Sequence, residues 1–317
     1  MKPKNTFRKD IRDLSNKYGT NYELVSELVK WFGFSEITSM LKMKPQDLKK
    51  TIRFNKLKTS KNEIMDKLEK EEITVDPIIE LDEGLLVTSG WKKVGSSLAY
   101  LSGEIMPQGL GSMLAIEALD PQPGEKILDM AAAPGGKSCF IAERMMGKGE
   151  LVVNDISKNR CSALINNLSR HHVQNYSLSI SDGANLKLSG FDRILLDAPC
   201  SGDGLIVSDI RRRNSTKILK SFALQKIQFS LLKRAVVMLK PNGYCVYATC
   251  ALTPIENELV VQNILGDVTI ESIDIPGYAG IGEINPLFER AKRLLPSSHG
   301  CDGFFIIKIR KRNTDES

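Results

Sequence analysis

Two cysteines and one aspartate stand out in this 317-residue sequence because each closes or directly follows an apolar run that predicts a strand. Residues 197–202 read DAPCSG and combine a carboxylate, a proline-stiffened turn and the thiol of Cys200. Thr249 and Cys250 close a neighbouring predicted strand in the same way. A single cysteine is usually a small buried apolar residue, but two thiols at adjacent strand ends are a much rarer coincidence. We therefore take both thiols as candidate catalytic groups and Asp197 as a candidate acid.

The other cysteines and the histidines show no arrangement of this kind. Cys139, Cys161 and Cys245 lie inside predicted elements and are expected to be buried without a chemical role. The six cysteines include no CxxC pair, and the three histidines are poorly spaced for a metal site. We therefore expect no metal, no disulfide framework and reduced thiols, as in the cytoplasm.

A turn of small residues lies upstream and suits a bound nucleoside. Residues 131–137 read AAAPGGK between a predicted strand and a helix, where two glycines let a ligand approach the backbone closely. A tight turn without a ligand would use the same residues. The motif is neither GxGxxG nor GxxxxGK[ST], which disfavours a pyrophosphate or triphosphate ligand. The candidate cofactor-binding residues here are Ala131, Ala132, Ala133, Pro134, Gly135, Gly136 and Lys137.

Acidic residues at two further strand ends could complete a cofactor site. Asp155 follows the second predicted strand, roughly 20 residues after the turn, where a carboxylate can accept both hydroxyls of a ribose. Capping of the next helix would explain Asp155 equally well. Asp182 could lie beside an adenine or cap a turn. Asp197 and Arg160 complete the candidate cofactor-binding set, and Lys137 could orient Asp197 or lower the pKa of a thiol.

The elements that would position these residues alternate between strands and helices from about residue 126 onward. Predicted strands separated by helices cover residues 126–130, 151–154, 176–180, 191–196 and 244–249, and a last strand covers 304–309. This order predicts an α/β fold with a Rossmann-like, mostly parallel sheet and helices on both faces. Ligands of such sheets bind beyond the carboxyl ends of the strands, which is where the candidate residues lie.

The first 84 residues follow a different, lysine-rich pattern. Short helices are predicted there, residues 51–58 alternate like an edge strand, and residues 76–90 resemble a connector. We therefore divide the chain into a smaller N-terminal region, 1–84, of helical or α+β structure, and a larger domain, 85–317.

Composition is compatible with a polyanionic partner without requiring one. The formal charge is +6, from 44 Lys+Arg and 38 Asp+Glu. The densest basic cluster near the DAPCSG motif contains Arg211, Arg212, Arg213, Lys217 and Lys220. The first four are the candidate RNA-binding residues, and the cluster could contact phosphates or form a solvated loop and helix start. No apolar run of about 18 residues is present and residues 1–13 lack a signal-peptide core, so we expect no membrane span.

Five ordered motifs together resemble the Fmu/Sun-type (RsmB/NOL/NOP/Sun) RNA cytosine-C5 methyltransferases over most of the chain. The matching segments read LDMAAAPGGK at 128–137, DAPCSGDG at 197–204, YATC at 247–250 with ENE at 256–258, RFNKLK at 53–58 and DGFF at 302–305. Asp203 stands where threonine is commoner and Ala248 where serine is usual, and residues 209–213 lack a tryptophan often found there.

The resemblance implies an enzyme that transfers a methyl group from S-adenosyl-L-methionine to carbon 5 of a cytosine in structured rRNA or tRNA. Cys250 would attack carbon 6 of the base and Cys200 would assist release, whereas DNA cytosine methyltransferases use the Pro-Cys thiol as nucleophile. Asp155, Asp182 and Asp197 would line the cofactor and base pocket, with Lys137 against Asp197 or the base. The target base would be flipped out of its helix to reach the thiols.

The same resemblance assigns region 1–84 to RNA recognition and region 85–317 to catalysis. We expect a monomer in the cytoplasm, or in the nucleolus of a eukaryote. Two other functions stay open at this point. One is an RNA-binding ribosome-assembly factor whose methyltransferase fold is non-essential or inactive, which the intact Asp197, Cys200 and Cys250 disfavour. The other is an enzyme that methylates DNA or a small molecule, which the Thr-Cys thiol disfavours.

Overall fold

The computed structural model describes residues 4–313, with side chains from Arg8 onward. Residues 1–3, the start of the expected N-terminal region and of the segment 1–13, lie outside the described residues. Residues 314–317, the end of the expected catalytic region, lie outside them as well. The strands are β1 Lys50–Phe54, β2 Thr74–Ile78, β3 Leu81–Ser89, β4 Ile105–Pro107, β5 Lys126–Asp129, β6 Glu150–Asn154, β7 Tyr176–Ser179, β8 Phe191–Asp197, β9 Leu239–Thr249, β10 Val268–Glu271, β11 Tyr278–Ala279, β12 Lys292–Leu294 and β13 Phe304–Lys311.

The helices flank these strands and include several single turns. In chain order they are α1 Lys4–Tyr18, α2 Tyr22–Phe32, α3 Phe34–Lys42, α4 Lys61–Lys70, α5 Trp91–Val94, α6 Leu98–Leu101, α7 Leu110–Leu119, α8 Gly136–Arg144, α9 Lys158–Arg170, α10 Arg212–Ser215, α11 Ile218–Met238, α12 Glu258–Val261 and α13 Pro296–His299. Among the described residues, no helix combines the length and the apolar character needed to cross a membrane.

The main sheet is a nine-stranded mixed sheet, in the order β11-β12-β13-β9-β8-β5-β6-β7, with β10 paired to β13. The predicted α/β fold is confirmed, and the strands β5 to β9 are parallel. The expectation of a mostly parallel sheet needs correction, because β10 to β13 are antiparallel. The short strands β10, β11 and β12 were not predicted, and β11 and β12, of two and three residues, carry too little periodicity to identify a strand.

Two apolar cores lie on opposite faces of the main sheet. Ile127 and Leu195 face the core that contains α7 and α8. Leu128 and Ile194, their neighbours along the same strands, face the core that contains α11. This alternation is the two-residue period of a strand, and it covers both faces of the parallel sheet with helices.

A second, four-stranded antiparallel sheet has the order β2-β3-β1-β4. The expected edge strand at 51–58 is wrong, because β1 lies between β3 and β4 and buries Ile52 and Phe54. The expected connector at 76–90 is also wrong, because these residues form most of the β2–β3 hairpin. Position 84 lies inside β3, and the small sheet continues beyond it to Pro107. The division of the chain into an RNA-recognising and a catalytic part stays a prediction.

A buried polar cluster joins the small sheet to the main sheet. Arg53 on β1 donates from Nε to Gln108 Oε1 at 2.9 Å and pairs with Glu143 on α8. The other oxygen of Glu143 lies 3.0 Å from Nδ1 of His171. Burial lowers the pKa of Arg53 to about 10, and burial together with Arg53 lowers the pKa of His171 to about 2. The arginine, whose guanidinium also lies 4.4 Å from the ring centroid of Phe140, therefore carries the charge that balances Glu143.

We expect Arg53→Met to lower the free energy of unfolding by about 3 kcal/mol or more, because Glu143 would stay buried without its partner. Urea unfolding followed by circular dichroism measures this loss. Lys61→Met is the control, since it removes a more exposed ion pair with Asp82 at 3.0 Å and should cost less than about 1 kcal/mol. Equal losses in the two variants would show that the buried cluster does not hold the sheets together.

Candidate active site

The carboxyl ends of β5, β8 and β9 meet at one edge of the main sheet and bring the sequence motifs together. Asp129 pairs with Leu195, two residues before the end of β8, and Asp197 pairs with Ala248, one residue before the end of β9, so the three strands end within a few residues of one another. The turn with residues 131–137, the DAPCSG segment and Cys250 all leave the sheet at this edge. Parallel strands that end together are therefore what assembles the site.

The two candidate thiols are in direct contact. Cys200 Sγ lies 3.0 Å from Cys250 Sγ, and both side chains are partly exposed. Cys139, Cys161 and Cys245 are buried as expected, and Cys301 is buried as well. The hydrogen bond to Cys250 and burial raise the pKa of Cys200 well above its usual value, so Cys200 is a neutral thiol near pH 7.

Lys137 and Asp197 form an ion pair beside the thiols. Lys137 stands in the first turn of α8, and its Nζ lies 2.6 Å from Asp197 Oδ2. Burial opposes the charge of Lys137, but Asp197, Asp129 and Cys250 outweigh it and raise the pKa of the lysine. Lys137 therefore remains an ammonium that both orients Asp197 and favours a thiolate nearby.

Behind the thiols lies a layer of buried acids that the sequence analysis did not include among the site residues. Glu256 accepts from the backbone N–H of Ser201 at 2.8 Å and from Gln228 Nε2 at 2.9 Å. Asp203 accepts from the backbone N–H groups of Leu252 and Thr253. Burial and the charge of Glu256 raise the pKa of Asp203 to about 7. These carboxyls hold the backbone that follows each thiol, and the ENE and DG parts of the motifs were the signals that pointed to them.

Glycines let the loops that follow the two thiols come into contact with each other and with the DGFF segment at 302–305. The backbone N–H of Gly204 donates to the Cys250 carbonyl at 3.0 Å, and that of Gly303 donates to the Gly204 carbonyl at 2.9 Å. A Cβ at position 204 would lie 2.5 Å from the Gly303 oxygen and 2.7 Å from the Cys250 oxygen. Any larger residue would push Cys250 away, so the DG pairs of both motifs have a packing reason.

A cavity of about 200 Å³ lies over the small-residue turn. Its lining includes the predicted residues Ala131, Ala132, Ala133, Pro134, Gly136, Lys137 and Asp197, and also Gln108, Gly109 and Asp129. At Gly109 and Gly136 no heavy atom lies within 4 Å of the place where a Cβ would stand, so bare backbone is presented to a ligand. Gly135 has a φ of +104° and is not among the lining residues.

The expected cofactor residues Asp155, Arg160 and Asp182 are not among the residues that line this cavity, and the first two contact the turn itself. Asp155 accepts from the backbone N–H groups of Ala133 at 3.1 Å and Ser157 at 2.9 Å. Arg160 donates to the Ala133 carbonyl and lies 3.4 Å from Asp155. Both residues therefore brace the turn.

Asp182 has the second of the two roles considered for it. Its Oδ1 accepts from the backbone N–H of Ala184 at 3.0 Å, and its Oδ2 accepts from Asn185 Nδ2 at 2.9 Å, so the side chain caps a short turn. Contacts of Asp155 with a ribose and of Asp182 with an adenine stay predictions.

A second cavity, of about 310 Å³, contains Cys250 and meets the first at Lys137 and Asp197. Its lining also includes residues that were not in the predicted site set, among them Leu48, Lys49, Lys50, Ser208, Asp302 and Phe304. Burial raises the pKa of Asp302. Two cavities that share one ion pair can hold two reactants with their reacting atoms at the shared boundary.

The predicted RNA-binding cluster is divided by the fold. Arg211 and Lys217 are exposed, although Arg211 Nε lies 2.8 Å from Asp209, and Arg212 donates to the Ser201 carbonyl at 3.2 Å. Arg213 does not fit the prediction, because it is only 7% exposed. Its guanidinium donates to the carbonyls of Ile206 at 3.0 Å and Met43 at 3.1 Å, so it fastens the N-terminal helices to the thiol loop.

An α/β sheet with a small-residue turn after its first parallel strand and two thiols at adjacent strand ends defines a class of methyltransferases. Residues 116–310 match the family described as 16S rRNA methyltransferase RsmB/F. The chain belongs to this family of RNA cytosine-C5 methyltransferases, and the resemblance stated from the sequence is confirmed. Within the described residues, no three His, Cys, Asp or Glu side chains cluster in a way that could hold a metal ion.

Individual relatives act on different RNAs according to their names. The 26S rRNA (cytosine-C(5))-methyltransferase nsun-1 of Caenorhabditis elegans is 36% identical over 95% of this chain and 48% of its own length. The tRNA (cytosine(49)-C(5))-methyltransferase of Pyrococcus abyssi is 35% identical over 83% of this chain and 88% of its own length. The crystal structure of a methyltransferase homolog protein from Pyrococcus horikoshii superposes with a TM-score of 0.83, at 32% identity, over 95% of this chain and 98% of that one.

The chain is short compared with several of these relatives. It spans about half the length, 39% to 52%, of the rRNA methyltransferases of worm, mouse, human and fission yeast that it matches.

The raised pKa of Asp203 predicts a pH dependence of stability. The folded protein keeps this proton to a higher pH than the unfolded chain, so its contribution favours folding at low pH and is lost as pH rises toward about 7. Asp203→Asn removes the titration, although it also weakens one backbone contact at every pH. Between pH 5 and pH 8 the difference in unfolding free energy should shift in favour of the variant by about 2 kcal/mol.

Urea unfolding at the two pH values measures the shift. Asp209→Asn is the control, because Arg211 lowers the pKa of that exposed carboxylate and its titration lies below pH 5. The difference between this variant and the native protein should therefore be the same at both pH values. An equally constant difference for Asp203→Asn would contradict the raised pKa.

Proposed function

We propose that this chain transfers a methyl group from S-adenosyl-L-methionine to carbon 5 of a cytosine in rRNA or tRNA. The observation that carries the proposal is the contact between Cys200 and Cys250, 3.0 Å apart at the ends of neighbouring strands and beside the Lys137–Asp197 ion pair. Family membership and the two adjoining cavities support it.

The residues of the 200 Å³ cavity fit such a cofactor. Bare backbone at Gly109 and Gly136 admits a bulky ligand, and the carboxyl groups of Asp129 and Asp197 suit a cationic sulfonium or ammonium group. One oxygen of Asp129 is buried without a hydrogen-bond partner among the described residues. Burial raises the pKa of Asp129 to about 7, so a cationic ligand beside it would favour ionisation. When bound, S-adenosylmethionine supplies an electrophilic methyl group.

Cys250 is the nucleophile in this proposal. Carbon 5 of cytosine is a poor nucleophile, but addition of the Cys250 thiolate to carbon 6 converts the ring to an enamine that is reactive at carbon 5. Asp197 passes a proton from the Lys137 ammonium, 2.6 Å away, to ring N3 during the addition, which keeps the adduct neutral. The ammonium of Lys137 interacts with the charge of Cys250 and so stabilises the sulfur as it attacks.

Cys200 acts in the second half of the reaction. After methylation, carbon 5 still carries a proton, which must leave so that the carbon 6–sulfur bond can break and return its electron pair to Cys250. The largest cause of the raised pKa of Cys200 is its hydrogen bond to Cys250. Once Cys250 is bonded to the base this hydrogen bond is lost, so Cys200 becomes easier to deprotonate and gives its own proton to solvent. The Cys200 thiolate then accepts the carbon 5 proton, and N3 returns its proton through Asp197 to Lys137.

Two cysteine variants test these roles with labelled S-adenosylmethionine and RNA from a strain that lacks the gene. Cys250→Ala should lower methyl transfer by about 10³-fold or more, because the bond between sulfur and carbon 6 that activates carbon 5 could not form. Cys200→Ala should instead accumulate a denaturant-stable protein–RNA adduct, seen as a slower band in gel electrophoresis. Cys161→Ala, a buried cysteine on α9, should behave like the native protein.

The opposite pattern, with an adduct in Cys250→Ala and none in Cys200→Ala, would assign the nucleophile to the Pro-Cys thiol. Absence of methyl transfer by the native protein to total RNA of the deletion strain would overturn the proposed function. Bisulfite sequencing of RNA from the deletion strain and its parent identifies the cytosine, and thereby decides between rRNA and tRNA.

A further inference from the structure

We propose that Lys49, Lys50 and Trp91, here called the cavity rim, bind the RNA strand that flanks the target cytosine. Trp91 would stack on a neighbouring base, and the two lysines would contact phosphates. This inference rests on the proposed function, because it takes the occupant of the thiol cavity to be a base of an RNA strand.

The rim lies beside the thiol cavity, and its residues stand at the start of β1 and just after the end of β3. Lys49 and Lys50 line the same cavity as Cys250 and Asp197. Trp91 follows β3, which pairs with β1 so that Lys50 stands opposite Val87. The ring centroid of Trp91 lies 5.9 Å from Lys50 Nζ.

Backbone contacts fix where the rim stands. Gly90 has a φ of +77°, and a Cβ there would lie 2.4 Å from the Glu72 carbonyl oxygen, so the chain turns sharply just before Trp91. The backbone N–H of Lys49 donates to the Gly300 carbonyl at 2.7 Å, which ties the start of β1 to the segment leading to Asp302. The contact of Gly90 with Glu72 therefore positions Trp91, and the hydrogen bond from Lys49 to Gly300 positions the two lysines.

The charges of the rim are available for a ligand. Within the described residues, neither Lys49 nor Lys50 lies within 4 Å of a carboxylate, whereas the neighbouring Lys61 and Lys93 pair with Asp82 and Glu72. Trp91 is 38% exposed, although an indole gains much from burial. A basic pair beside an exposed aromatic ring is the combination that proteins use for single-stranded nucleic acid.

The chemistry at the thiols makes such a rim useful. A base must leave its stack to reach Cys250, and this costs a few kcal/mol of stacking and pairing. An indole beside the opening can stack on the base that loses its neighbour, and it accepts any base because each has a π face. The rim would thus hold the strand open without selecting its sequence.

The two tryptophans of the chain, Trp31 and Trp91, make a direct test possible. In Trp31→Phe protein the remaining indole emission comes from Trp91, and we expect a 12-nucleotide single-stranded RNA with one central cytosine to quench it. In Trp91→Phe protein the emission of Trp31 should not change when the same RNA is added. Unquenched Trp91 emission at RNA concentrations that saturate binding, measured by anisotropy of a labelled strand, would overturn the stacking role.

Affinity measurements test the rim as a whole. Trp91→Ala should raise the Kd for the 12-nucleotide RNA by about 5- to 100-fold, whereas Trp31→Ala should leave it within about twofold. The Lys49→Ala/Lys50→Ala double variant should reduce the slope of log Kobs against log salt concentration by about 1.4, at about 0.7 for each phosphate contact on a single strand. Lys226→Ala/Lys233→Ala, two exposed lysines on α11, is the matched control.

Circular dichroism measures the folding of each variant, and methyl transfer by the native protein measures catalysis, so the two effects are distinguished from RNA binding. If Trp91→Ala unfolds below its parent by circular dichroism, Trp91→Phe replaces it, since phenylalanine fills much of the same space and retains a smaller stacking surface. An unchanged Kd and salt slope in the rim variants overturn this inference while the native protein still methylates RNA. Loss of methyl transfer by the native protein itself would instead overturn the proposed function, and RNA binding by the rim would still be measured.

Discussion

The pairing of β8 with β9 is the constraint on which the site depends. In this parallel register Asp197 stands beside Ala248, so the residues that follow each strand leave the sheet side by side. Neighbouring strands lie only about 4.8 Å apart, which is why Cys200 and Cys250 can meet although 50 positions separate them. The buried acids and the glycines behind them keep this meeting point in place by binding the backbone on both sides.

Electrostatics at the ion pair of Lys137 and Asp197 link the two cavities. The lysine begins the helix that follows the small-residue turn, while the aspartate ends β8. Both side chains line both cavities, so a charged ligand in one cavity changes the electrostatic potential in the other. The contact of the two thiols adds a second coupling, since the state of Cys250 sets how easily Cys200 loses its proton.

The N-terminal part of the chain is joined to this site by buried arginines rather than by a loose linker. Arg53 ties the small sheet to α8, and Arg213 ties the first helices to the loop after Cys200. Arg213 belonged to the predicted basic cluster and Arg53 to the RFNKLK motif, yet the fold removes both side chains from solvent. Lys49 and Lys50, which belong to no dense cluster, are the basic residues that line the thiol cavity. A charge count thus indicates polyanion binding without locating it.

The sequence by itself determined the α/β class, the order of the strands β5 to β9 along the chain and the set of residues that leave their carboxyl ends. These follow from apolar periodicity and turn chemistry, which are local properties. Only the tertiary structure decided that β1 lies inside a sheet, that Arg213 is buried and that the two thiols touch. Each of these depends on which distant segments of the chain pair with one another, and local periodicity does not identify those partners.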